Sequence, residues 1–121
     1  MADIQRVAGN VRTRCWGSAY KDLVWAVGVS DDFDLAFREQ AVRAFANLDK
    51  VLAEAGTEKT RILSATVILA DIDDKPVLDE LWADWVVDDP QAWPQRACHA
   101  GTLAPKVLVE VLTVAVREAP A

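Results

Sequence analysis

The last quarter of the chain contains a run of apolar residues that includes a single charge. Positions 107 to 116 read Val-Leu-Val-Glu-Val-Leu-Thr-Val-Ala-Val, and the charge is Glu110. In a β-strand, successive side chains point to opposite faces, so both faces of this segment are apolar. Such a pattern is typical of a strand that is covered on two sides. It predicts a long strand from Val107 to Val116.

Shorter apolar runs predict the other strands. Apolar, β-branched and aromatic residues recur between turn-forming residues in four further segments, at 14–20, 23–29, 62–69 and 96–100. The first two are separated only by Lys21-Asp22, which suits a tight hairpin. In the third segment, strict alternation places Ser64 and Thr66 on the face of Ile62 and Ile68.

Two segments have helical periodicity. In residues 34–55, apolar residues recur at spacings of three and four, at Ala41, Phe45, Leu48, Leu52 and Ala55. Asp34 is a candidate N-cap for this helix, and Gly56 a candidate for the residue that follows its end. A second helix is predicted after Asp73-Asp74-Lys75-Pro76, since proline is tolerated in a first turn. Its apolar stripe comprises Leu78, Leu81, Trp82 and Trp85.

The order of elements predicts an α+β fold. One domain over residues 1–121 would have the order ββαβαββ, with two hairpin-like strand pairs and a sheet packed on two helices. The helices cover only one face of the sheet, whereas the last strand is apolar on both. We therefore expect a second copy of the chain to cover the other face. The alternative is that the valines reflect strand propensity alone.

Composition excludes several classes of function. The 121 residues carry a net charge of −6, which argues against a nucleic-acid surface. No segment is long and apolar enough to cross a membrane, and the first residues lack the apolar core of a signal peptide. Cys15 and Cys98 fit no metal or redox spacing, and the chain has one histidine. We expect a reduced, cytoplasmic protein with two free thiols, no metal and no cofactor.

Glu110 and Arg96 are the strongest candidates for chemistry. A carboxylate in an apolar strand must be protonated, hydrogen-bonded or paired with a cation, and Arg96, at the head of the preceding strand, is the nearest well-placed cation. Arginine grips a carboxylate with two parallel hydrogen bonds, which suits recognition of a small acid. The pair is therefore predicted to form a site at a sheet edge. The alternative is a structural ion pair.

The neighbours of Arg96 suggest a pocket. In a strand over 96–100, Cys98 shares the face of Arg96, whereas His99 lies on the other face and has no assigned role. Arg96 would lower the pKa of the Cys98 thiol, although a small packed thiol is the simpler interpretation. Most of the five tryptophans are expected in the core. Trp16 and Trp93 lie near turns and are candidates for pocket walls.

The chain resembles the RidA (YjgF) family over nearly its whole length. The C-terminal signature comprises Pro94-Gln95-Arg96-Ala97-Cys98, Leu103-Ala104-Pro105, Val109-Glu110-Val111 and Ala115. Earlier resemblances follow in order: Gly28, Gln40, Asn47-Leu48-Asp49, Leu52, Ala55-Gly56, Thr66-Val67, Leu69-Ala70-Asp71 and Leu81-Trp82-Ala83-Asp84-Trp85.

The resemblance implies a fold, an assembly and an activity. It implies a homotrimer of chorismate-mutase-like α+β subunits whose sheets form a central barrel, with ligand sites in the clefts between subunits. Archetypal members hydrolyse 2-enamino and 2-imino acids to 2-keto acids and ammonium without a cofactor. Arg96 matches the arginine that holds the substrate carboxylate, and Glu110 the glutamate that positions or activates water. Substrate contacts are expected from Arg96, Cys98, Trp16 and Trp93.

The sequence departs from the family pattern at three places. Val29 follows Gly28 where many members have glutamine, and Asp79 stands where the family usually has asparagine. The tyrosine that often lines the site has no clear match; Tyr20 is present in an uncertain register, and Trp16 is a candidate for that space. Two functions therefore stay open, a deaminase with a reshaped pocket and a catalytically silent, ligand-binding or regulatory trimer.

Overall fold

A six-stranded mixed sheet forms one layer of the molecule, and two helices form the other. The computed structural model describes residues 3–120. The strands are β1 (Gln5–Ala8), β2 (Cys15–Tyr20), β3 (Leu23–Gly28), β4 (Ile62–Leu69), β5 (Gln95–Ala100) and β6 (Val109–Val116). The helices are α1 (Phe37–Glu54) and α2 (Lys75–Trp85). The predicted α+β class, with helices on one face, is confirmed.

The order of strands across the sheet is β1-β2-β3-β6-β4-β5. Strand β6 lies between β3 and β4, in the middle of the sheet. The second predicted hairpin is wrong, because β4 lies between β5 and β6 and pairs with β5 in parallel. Strand β1 was not predicted, because its four residues, Gln-Arg-Val-Ala, bury only Val7. Strand β5 is thus an edge strand.

The pairing register defines two faces of the sheet. Thr113 of β6 lies beside Ala65, which lies beside Arg96, so these three side chains share the face that packs on the helices (the helix face). Glu110 lies beside Ile68, which lies beside His99, so these three share the opposite face (the open face). The odd-numbered residues of β6 are buried on the helix face, and the even-numbered ones are partly exposed.

Close contact between α1 and β3 holds the layers together. A Cβ atom added to Gly28 would lie 2.6 Å from the carbonyl oxygen of Ala44 and 2.7 Å from Cβ of Leu48. Only glycine allows the helix to approach the strand this closely. Beside this contact, Phe45 stacks on Trp85 at 4.7 Å between ring centroids, and Trp82 contacts both rings.

Two local predictions are wrong, each for a physical reason. Helix α1 begins after Ala36, not at Asp34, whose carboxylate accepts a hydrogen bond from Lys106 instead. An irregularity in β4 between Ile62 and Ser64 shifts the alternation, so Ile62 is buried on the helix face and Ser64 lies on the open face. By contrast, Gly56 follows α1 with a φ of +87°, as its position predicts.

The open face of the sheet is largely apolar. Trp25 is 45% exposed and Leu112 is 36% exposed, although both lie on inner strands. Val27 lies beside Leu112, and Trp25 beside Val114. The register thus gathers these side chains in one patch, which a partner would have to cover to remove it from water. In the described part of the chain, neither helix is long and apolar enough to span a membrane.

Candidate functional site

Arg96 is held at the edge of the sheet by residues of α2. Its Nη2 donates a hydrogen bond to Oδ1 of Asp79 at 2.7 Å, and its side chain is 19% exposed. The guanidinium carbon lies 5.1 Å from the ring centroid of Trp82, a cation–π geometry. Lys75 donates to the other carboxylate oxygen of Asp79 at 2.8 Å. We call Lys75, Asp79, Trp82, Arg96 and Cys98 the arginine cluster.

The two cations govern the charge of Asp79. Hydrogen bonds from Lys75, which has the larger effect, and from Arg96 hold the pKa of the Asp79 carboxyl below its usual range, although burial acts to raise it. Asp79 is therefore a carboxylate at neutral pH, and the cluster contains two positive charges and one negative charge. A second acid can approach such a cluster with a net electrostatic attraction.

Cys98 is a packed thiol of the same cluster. It lies beside buried Val67 and is half-buried on the helix face, with His99 on the open face, as predicted. Burial raises the pKa of the Cys98 thiol, and Arg96 opposes that effect only in part. The thiol is thus protonated at neutral pH, which favours packing over nucleophilic chemistry. Cys98 and Cys15 are both free thiols, as expected.

Arg96 and Glu110 do not meet within one chain. The register places Arg96 on the helix face and Glu110 on the open face. The prediction that the two converge at a sheet edge is therefore wrong for a single subunit. Alternation within β5 and within β6 was predicted correctly, but sequence alone did not relate the faces of these two strands, which have β4 between them. Among residues 3–120, no cation forms an ion pair with Glu110.

Glu110 instead lines a cleft at one end of the open face. The cleft has a volume of about 330 Å³. We call it the open-face cleft; its lining includes Arg14, Trp16, Val27, Val29, Phe33, Val107 and Glu110. Apolar and aromatic walls around a few polar groups are typical of small-molecule sites. Trp16 is thus a wall residue, as its position near a turn suggested, and Val29 is another.

The side chain of Gln40 holds two walls of this cleft in place. It is fully buried, and its Nε2 lies 3.0 Å from the carbonyl oxygens of Leu35 and Lys106 and 3.2 Å from that of Phe33. Its Oε1 accepts a hydrogen bond from the backbone N–H of Leu108 at 3.1 Å. The amide thereby connects the loop before α1 to the loop before β6. A glutamine on the buried face of a predicted helix was the signal in the sequence.

Other candidates lie outside the cleft. Trp93 is 52% exposed before β5, and its Nε1 donates to the carbonyl oxygen of Val87 at 2.7 Å. Like Trp25, it lies outside the core, whereas Trp85 is buried in the core and Trp16 and Trp82 pack against it, as expected for most of the tryptophans. Arg14, in contrast, lines the open-face cleft, but it was not predicted as a site residue. Neither its position before a strand nor its spacing from other residues indicates a site in the sequence.

Comparisons with known proteins agree with this architecture. The sequence model of the family described as endoribonuclease L-PSP matches residues 27–117. The RutC family protein YoaB of Escherichia coli K12 is 33% identical over 96 residues, which cover 79% of this chain and 83% of that protein. A 2-iminobutanoate/2-iminopropanoate deaminase of Capra hircus is 31% identical over 80 residues, which cover 65% of this chain and 56% of that protein.

A solved structure extends the match to nearly the whole fold. A member of the YjgF protein family from Neisseria meningitidis superposes with a TM-score of 0.85 at 28% sequence identity, and the alignment covers 98% of both chains. The matched region includes β6 and the arginine cluster. This chain therefore belongs to the YjgF/RidA family, as its sequence signature predicts.

Proposed function

We propose that this protein hydrolyses 2-imino and 2-enamino acids to 2-keto acids and ammonium, in sites that lie between the subunits of a homotrimer. The observation that carries the proposal is the placement of Arg96 and Glu110 on opposite faces of one sheet. A site that needs both residues then takes Arg96 from one copy and Glu110 from the next. The apolar open face and the edge position of β5 support such an assembly.

The arginine cluster supplies an anchor for the substrate carboxylate. Trp82 and Asp79 hold the guanidinium in one orientation, which reduces the entropy lost when a substrate binds. The donors of Arg96 that do not face Asp79 remain for a ligand carboxylate. In this proposal Cys98 contributes packing beside the bound acid, and Trp93 of the same edge contributes an apolar wall.

The open-face cleft of the neighbouring copy supplies Glu110 and the apolar walls. The carboxylate of Glu110 accepts a proton from a water molecule as the water oxygen attacks the electrophilic carbon of the protonated imine. That proton passes to the nitrogen of the tetrahedral intermediate. Glu110 then accepts the hydroxyl proton as the C–N bond breaks and the C=O bond forms, and this second proton leaves with the released ammonia, as ammonium. One water is consumed and one ammonium ion is released, without an electron donor or acceptor. Trp16 and Val29 border the substrate side chain.

Hydrolysis of imines generated in place tests the proposal. An amino-acid oxidase would produce 2-imino acids with small to bulky side chains, and semicarbazide would trap whatever escapes hydrolysis. We expect the wild-type protein to reduce trapping and R96A to lose this effect, while E80Q, which alters an exposed ion pair with Arg38, keeps it. No effect of the wild-type protein with any substrate would favour the silent, ligand-binding trimer.

RNA cleavage, which the family description names, is not supported by the charge of this chain. The net charge is −6, and phosphate binding depends on clustered lysine and arginine. We expect no RNA binding that persists in high salt. Such binding, measured by gel shift, would contradict this part of the account.

A further inference from the structure

The guanidinium of Arg96 already has a carboxylate partner within its own chain. Asp79 lies 2.7 Å from Nη2 of Arg96, and Lys75 binds the second oxygen of the same carboxylate at 2.8 Å. The Asp79 side chain is 42% exposed, and that of Arg96 is 19% exposed. A ligand acid that uses the remaining donors of Arg96 therefore binds beside a fixed negative charge.

That charge acts in two opposite ways on a ligand. The hydrogen bond to Nη2, together with the Trp82 ring, fixes the direction of the free edge of Arg96. The negative charge, however, repels an incoming carboxylate, which would lie roughly 6 Å away across the guanidinium. Lys75 offsets this repulsion only in part, because its ammonium lies on the far oxygen of Asp79.

We propose that Asp79 is a positioning residue that holds Arg96 in place and, at the same time, weakens the affinity of the site for carboxylates. This inference rests on the proposed function and deepens it, because it explains how a deaminase would release its 2-keto acid. Substrate imino acids and product keto acids carry the same carboxylate. Weak binding of that group favours turnover when chemistry is followed by product release.

The test separates the charge of Asp79 from its hydrogen bond. D79N keeps an oxygen that can accept the hydrogen bond from Arg96 but removes the negative charge, whereas D79A removes both the acceptor and the charge. In water at low ionic strength, repulsion between the Asp79 charge and a ligand carboxylate roughly 6 Å away changes Kd by at least about threefold. We expect D79N to bind 2-oxobutanoate at least about threefold more tightly, measured by calorimetry. Its KM for the imine should fall, and its kcat should fall by no more than the factor by which affinity rises, because the keto acid is released more slowly.

The other variants supply the contrast. D79A leaves the guanidinium less well oriented, so its kcat should fall, on the order of tenfold. The matched control is E80Q, which removes one negative charge from the next residue of α2, where Glu80 pairs with exposed Arg38 at 3.2 Å. Its Kd for 2-oxobutanoate should stay within twofold, because solvent screens that charge.

Two results would overturn the inference. One is D79N binding 2-oxobutanoate no more tightly than the wild type, and the other is E80Q tightening binding as much as D79N. Failure of the proposed function would look different. In that case the wild type would not hydrolyse the imines, or 2-oxobutanoate would bind equally well to the wild type and R96A, whatever the effect of D79N.

Discussion

Replacement of Gln40 by leucine removes the amide that connects the two loops of the open-face cleft. Gln40 is fully buried, and leucine has a similar volume, so the change removes hydrogen bonds without a large cavity. The loops contribute Phe33 and Val107 to the cleft wall. The variant thus probes whether a buried polar contact, remote from the proposed chemistry, keeps the cleft in shape.

The expected loss of stability follows from the bonds that Gln40 makes. Two N–H groups are shared among three carbonyl oxygens, and Oε1 accepts one further bond, so about three full hydrogen bonds are lost. Each contributes roughly 1 kcal/mol, and the N–H of Leu108 loses its side-chain partner. We expect the free energy of unfolding to fall by about 3 kcal/mol. For a chain of this length, Tm should fall by roughly 12 °C.

Urea unfolding at a fixed protein concentration measures this loss. A fixed concentration is needed because association of subunits contributes to stability. The midpoint should fall while the m-value stays constant. The matched control is Q91L, at an exposed glutamine, which should change stability by less than about 0.5 kcal/mol. If Q40L lost less than about 1 kcal/mol, the account of how the two loops are held together would be refuted.

Three further predictions concern the site and the assembly. R96K should lose most imine hydrolysis, because an ammonium cannot reproduce the planar fork, and kinetics with one imine substrate checks this. L112D places a charge in the open face and should shift the protein towards monomers in analytical ultracentrifugation, with the loss of activity that a shared site requires. The lowered pKa of Asp79 makes its ion pairs a source of stability above about pH 4 that is lost as pH falls through the lower, folded-state pKa. The stability difference between the wild type and D79N in urea should therefore be constant from pH 5 to 7 and shrink below pH 4.

The sequence predicted most elements because their patterns are local. The helical stripe through Phe45 and Leu48 and the odd-numbered residues of β6 correspond directly to buried positions. Strand β1 lacked such a pattern, and the start of α1 was misplaced because Asp34 pairs with a distant lysine, Lys106, not with the helix. Contacts between residues far apart in sequence are invisible to periodicity.

In the candidate site, too, local features were predicted and distant contacts were not. Alternation correctly placed Arg96 and Cys98 on one face of β5, and Trp16 lies on a cleft, as proposed from its position near a turn. Whether Arg96 and Glu110 share a face depends on β4, which lies between their strands. The prediction that the two side chains converge was therefore wrong within one chain. The ion pair with Asp79 joins α2 to an edge strand, and only the folded structure shows it.

Subunit complementation tests the shared site most directly. R96A and E110Q would be prepared separately, shown to be folded and inactive, and then mixed as equal amounts by joint unfolding and refolding. In a closed ring, about a quarter of the sites then combine an intact Arg96 with an intact Glu110 from the neighbour. We predict recovery of about a quarter of wild-type imine hydrolysis, and none when R96A is mixed with an R96A/E110Q double variant. A mixture that stays as inactive as its separate components would contradict the shared site.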